Sequence, residues 1–101
     1  VELRKRAIQA LGDQDGEKAA DSLIQLYDAE KDERMKELIL NALGDSEQKK
    51  ALRKLMDVVR SEPSLKLKKK ALAMIGESDD PEALSFLEEL LKKSPNQNRD
   101  R

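Results

Sequence analysis

The chain contains no cysteine, no histidine and no tryptophan, and its only aromatic side chains are Tyr27 and Phe86. Lack of cysteine excludes disulfides and thiolate chemistry. Lack of histidine removes the commonest general base and the commonest transition-metal ligand. With so few aromatics, the interior has to be aliphatic, built from Leu, Ile, Val, Met and Ala. No apolar run approaches the roughly 20 residues of a membrane helix, and no signal peptide is recognisable. The sequence opens at Val1 inside a helical pattern, which reads as a domain cut from a longer protein.

What the chain has in abundance is charge. Charged residues are 41% of the 101, and the signs nearly cancel to a formal net charge of −1. A dedicated polyanion binder would be clearly basic. The length is that of one small domain, with room for a modest core.

The chain also has a period. Gly12, Gly44 and Gly76 are evenly spaced, and each closes a similar phrase: Ala10-Leu11-Gly12, Ala42-Leu43-Gly44, Met74-Ile75-Gly76. Self-similarity at this interval marks a repeat array. The units are residues 1–32, 33–64 and 65–96, with 97–101 left as a disordered tail. Apolar sites coincide between units: Leu3, Met35 and Leu67; Ala7, Ile39 and Ala71; Ile8, Leu40 and Leu72; Leu23, Leu55 and Leu87. Within each half-unit they recur at steps of three and four, the spacing of an amphipathic helix. No stretch alternates with period two, so strands are not expected.

Each unit therefore reads as two helices joined at the glycine. A glycine there suits a left-handed helix terminus. Acidic and small polar residues then cap the second helix, most clearly Asp80 followed by Pro81. Pro63-Ser64 marks the start of the fifth helix, and Pro95 ends the sixth.

The phrase basic-x-x-Ala-aliphatic-x-Ala-Leu-Gly, followed by acidic residues and Ala-x-x-x-Leu, resembles HEAT-like repeats. Arg4 to Gly12, Lys68 to Gly76 and Asp79-Asp80-Pro81-Glu82-Ala83 carry the match. The second unit departs from it, with Gln48-Lys49 in place of turn-and-cap residues. The resemblance implies an all-α superhelix: a right-handed solenoid of three helical hairpins and six helices. It also implies a ladder from Arg4, Lys36 and Lys68 to the acidic turns Asp13, Asp45 and Glu77.

In a solenoid the terminal faces are polar. Glu88, where earlier units have Ile24 and Met56, fits a free end. Ile24 and Met56 should then face the following repeat, and Phe86 should pack back toward the second. The alternative for Phe86 is an exposed aromatic available to a partner. The core of the first unit's second helix centres on Ala19, Leu23, Leu26 and Tyr27, and a buried Tyr27 hydroxyl would need a polar partner.

The outward face of the second helices carries charges whose stacked equivalents are often opposite: Asp21 with Arg53, Asp28 with Arg60, Lys50 with Glu82. That stripe is either solvated ion pairing or a selective surface.

Other constellations are weak. Asp13-Gln14-Asp15-Gly16-Glu17 brings its glycine too early for a calcium loop. The serines have no histidine to activate them, and Glu88-Glu89 point about 100° apart on a helix. Basic clusters at Arg4-Lys5-Arg6, Lys49-Lys50 with Arg53-Lys54, and Lys66 to Lys70 are the sole nucleic-acid signal, without aromatic platforms for bases.

The expected function is a non-catalytic protein-interaction or scaffolding module. Its partner would be a protein bound on the concave face of the second helices, through Gln25, Lys50, Arg53, Asp57, Ser85 and Glu89. Neither a metal nor a cofactor is expected. The rivals are a nucleic-acid-binding array using basic helix faces, an enzyme such as a lyase or glycosylase on a HEAT-like frame, and a passive structural spacer.

Overall fold

The computed structural model describes residues 2–14 and 16–93. They form six α-helices: α1 Glu2–Gly12, α2 Glu17–Ala29, α3 Glu33–Asp45, α4 Lys49–Ser61, α5 Leu65–Gly76 and α6 Pro81–Lys93. No strand occurs among the described residues. The expected tail at 97–101 and the stop at Pro95 lie outside them.

Local sequence sets the helix starts. The Asp32 carboxylate accepts from the Arg34 N–H at 2.8 Å, and Ser64 Oγ accepts from the Leu67 N–H at 3.3 Å. Asp80 accepts from the Glu82 N–H at 2.8 Å, which with Pro81 at the first helical position opens α6 as expected. α2 and α4 start differently: Gly16 and Gln48 are their caps, and neither supplies a side-chain hydrogen bond.

The hairpins are stacked, not closed on themselves. First helices α1, α3 and α5 lie side by side, α2 lies on α4, and each new first helix also packs on the second helix before it. The result is a helical solenoid with principal extents of 50 × 27 × 17 Å. A single aliphatic core runs along it, from Ile8 and Leu23 through Ile39, Leu40 and Leu55 to Leu67 and Ile75.

The glycines of the period act otherwise than expected. Gly16 alone among the described residues has a left-handed backbone, with φ 109°. Gly12, Gly44 and Gly76 are the last or next-to-last residues of α1, α3 and α5. Their role is close approach. A Cβ on Gly12 would stand 2.9 Å from Ala42 Cβ, and one on Gly44 2.7 Å from Met74 Sδ. Gly12 and Gly44 each let the next repeat's first helix come near; Gly76 faces open space.

One further expectation changes. Leu26 is exposed, and Ala20 is buried beside Leu23 and Tyr27 instead. Its equivalent Val58 is buried. Phe86 keeps its expected place, only 6% exposed, with the Arg60 guanidinium 4.9 Å from its ring centre. That contact is a cation–π pair to the second repeat.

Candidate interaction surface

The second helices carry a continuous network of ion pairs, displaced from the expected register. Lys50 Nζ lies 2.9 Å from Asp21, and Arg53 Nε lies 2.9 Å from Glu82. In sequence, both pairs fall about one helical turn short of the full repeat period. Further along the helices, Lys54 meets Asp28 at 2.5 Å and Arg60 covers Phe86; both fall nearly two turns short. Equivalent positions point the same way on neighbouring helices, so the residues that meet across the gap come from opposite flanks and are offset from one another in the period. The expected partners Asp21 with Arg53, Asp28 with Arg60 and Lys50 with Glu82 are each replaced for this reason.

The network has a simple layout. α4 supplies the cations Lys49, Lys50, Arg53 and Lys54. α2 supplies Asp21 and Asp28 on one side, and Asp80 and Glu82 flank it on the other. Hydrogen bonds to Asp80 and then Glu82 raise the Lys49 pKa, and a bond to Asp21 raises that of Lys50. Asp80 is held below the usual carboxylate range first by the Glu82 N–H and then by Lys49, and Glu82 first by Arg53. Every one of these shifts reinforces the charge the group already carries at neutral pH. The basic cluster at the start of α4 is thereby neutralised in place, which argues against phosphate contacts there.

A second cluster lies under the ends of these helices. The Tyr27 hydroxyl donates to Glu62 Oε1 at 2.6 Å, and Lys36 Nζ reaches the same oxygen at 3.3 Å. The Ser64 N–H donates to Glu62 Oε2 at 3.2 Å. Lys36 and Lys54 stand 5.1 and 5.4 Å from the Tyr27 ring centre. Burial pushes the Glu62 pKa up, but the donors outweigh it and the net shift is downward. Burial, followed by the bond to Glu62, pushes the Tyr27 pKa well above its ordinary value.

Glu62 also corrects the expected basic ladder. Arg4 pairs with Glu30, and Lys36 with Glu62, one period on. The acids sit just past the second helix of the same repeat, not at the turns Asp13, Asp45 and Glu77. Glu30 further accepts from the N–H groups of Lys31 and Asp32, so one carboxylate caps the linker and anchors the first helix. The recurrence of Glu30 and Glu62 at the repeat period was the signal available in the sequence.

Between the α3–α4 and α5–α6 turns lies an open groove of about 900 Å³. Its rim includes Asp45, Glu47, Asp79 and Asp80, and Leu52 and Met74 lie beneath. Among the described residues no group of three or more acidic side chains is placed to hold a metal ion. Gly16, inside the acidic Asp13–Glu17 stretch, caps α2.

The residues singled out from sequence fall into two sets. Lys50 and Arg53 are tied into the inter-repeat network. Gln25, Asp57, Ser85 and Glu89 are exposed, and Asp57 lies 3.6 Å from Lys54. Sequence reasoning missed Lys49, Lys54 and Asp80 as partners and gave Glu82 to Lys50 instead of Arg53, because the facing flanks of the helices are not written in the period.

A family model described as HEAT repeats matches residues 1–74 and again 35–101. Neither the curated proteins nor the solved structures give a match.

Proposed function

Because this chain belongs to the HEAT-repeat family, whose members mediate protein–protein interaction or scaffolding, we propose that its second helices form the docking face for a protein partner. Residues 1–96 would act as one unit, and the face would be the concave side of the array. Gln25, Lys50, Arg53, Asp57, Ser85 and Glu89 would carry the contacts. No helix among the described residues is long and apolar enough to cross a membrane.

The observation that supports this reading most is the division of labour on the face. Lys50 and Arg53 are paired with acids of neighbouring repeats. Gln25, Ser85 and Glu89 stay exposed beside them. Paired charges next to free polar groups suit selection of a partner by electrostatic complementarity. A role as inert spacer would leave the same face free of consequence.

Capture of partners from the parent cell extract tests the point. Asp57→Lys and Glu89→Lys should each abolish a capture that Lys5→Glu, on α1, leaves intact. Capture indifferent to all three changes would remove the second helices from the binding role.

A further inference from the structure

The two ends of the array are the two halves of an interface that the molecule already uses internally. Positions 20, 52 and 84 are equivalent; Ala20 and Leu52 are 1% and 8% exposed, but Leu84 is 61% exposed. Ile8 and Leu40 are buried, whereas Leu72 is 37% exposed. Tyr27 is buried, whereas Leu91 is 64% exposed. Each of these sites is open in the third repeat.

The opposite end mirrors this. Met35 and Leu67 are buried, whereas Leu3 is 82% exposed. Ile39 and Ala71 are buried and Ala7 is exposed; Ala42 is buried and Ala10 exposed. These sites are open in the first repeat.

We propose that a second copy of the chain completes the interface, its first repeat seated on the third repeat of its neighbour. The closest fit is at Gly76. Within the chain Gly12 receives Ala42 and Gly44 receives Met74, which hold equivalent places in successive repeats. The residue that would stand there for Gly76 is Ala10 of the next copy, and a Cβ on Gly76 meets nothing within 4 Å. Charge agrees as well. Glu37 receives Lys66 and Lys70 across the second junction. At the joint between copies the Glu37 position is held by Lys69 and the Lys66 position by Glu2, so the pair recurs with reversed sign. Arg6, at the Lys70 position, lies 3.8 Å from Glu2 and is balanced by it.

One residue restrains the contact. Glu88 occupies the position of Ile24 and Met56, so docking brings a carboxylate toward a closing apolar joint. The association is therefore weak and open-ended. A head-to-tail contact that does not close into a ring extends as a filament.

Sedimentation velocity of the whole chain tests this, with circular dichroism to verify that each variant folds. Over roughly 10 μM to 1 mM the mean sedimentation coefficient should rise with concentration. Glu88→Met should shift that rise to concentrations about tenfold lower, and adding Gly76→Gln should cancel the gain. Gly76→Gln and Ala10→Gln should each be monomeric alone. Mixed, they should form a dimer and nothing larger, since each retains one good end. A chain that stays monomeric throughout, even with Glu88→Met, would overturn the proposal and leave the ends to some other protein. So would association that survives Gly76→Gln, because it would use another surface.

Discussion

α4 and α6 have the same length and the same place in the period, yet they live differently. α4 buries Ala51, Leu52, Leu55, Met56 and Val58. α6 buries only Ala83 and Phe86. The sequences do not explain the contrast, since α6 contains Leu84, Leu87, Leu90 and Leu91. Position does: α4 has a repeat on each side, and α6 has one on a single side. Burial in an array belongs to the junction between units more than to the residue.

Leu52 and Leu84 give the sharpest test, being the same residue at equivalent sites. Leu52→Ala should cost about 2–4 kcal/mol, because it empties a packed junction. Leu84→Ala should cost less than about 0.5 kcal/mol, as surface changes do. Urea unfolding of both variants checks this, and equal losses would erase the distinction between junction and end. Hydrogen exchange should agree, with the amides of α6 opening well before those of α4.

The glycines carry the comparison to the backbone. Gly12→Ala pushes a methyl group against Ala42 Cβ and Cα, at 2.9 and 3.3 Å, and neither atom can swing aside. The two helices must part, at about 1–3 kcal/mol. Gly76→Ala meets open space, and alanine should add up to about 1 kcal/mol of helix stability. Thermal melting of the pair should therefore move in opposite directions.

These glycines also show how far the chain could be read without coordinates. The regular period and the spacing of Leu and Ala dictated six helices in three hairpins, because both are one-dimensional patterns. The period could not say why glycine recurs. A helix terminus and a close approach leave the same letter, and only the distance to Ala42 or Met74 separates them. Which flank of one second helix meets which flank of the next is equally hidden, so the period pairs Asp21 with Arg53 whereas Lys50 holds it. Phe86 was legible, because its equivalents Ser22 and Lys54 differ in kind. The exposed Gln25, Ser85 and Glu89 were legible as positions on a helix, though nothing in the sequence tells a free polar side chain from a paired one.

The first junction holds a buried polar cluster built on the Tyr27 hydroxyl; at the second junction the equivalent residue is Val59, which has no hydroxyl to offer. Tyr27→Phe leaves Glu62 with Lys36 and Ser64 as donors, at a cost of about 1–2 kcal/mol. Tyr27 is also the only tyrosine, so phenolate absorbance reports it alone. Its folded pKa is raised, chiefly by burial. The contribution to stability is therefore complete below pH about 10, the unfolded value, and declines as pH rises above it. Base titration should show no phenolate near that ordinary value until unfolding begins. A transition there in folded protein would mean the hydroxyl is not buried against Glu62.

The smallest effects belong to the surface pairs that join α4 to its neighbours. Arg53→Ala removes both hydrogen bonds to Glu82, at 2.9 and 3.2 Å, yet Arg53 is well exposed and water screens the loss. The destabilisation should fall below every change described so far and fade in high salt. Glu82 is held below the normal glutamate range first by Arg53 and then by Lys49. Its contribution is thus present at neutral pH and disappears as pH falls through that lowered value. Exchanging the partners, with Arg53→Glu and Glu82→Arg together, should recover only part of the loss. Lys49 lies 3.3 Å from Glu82 and would then face an arginine. Full recovery in low-salt unfolding would mean that Lys49 takes no part in the pairing with Glu82.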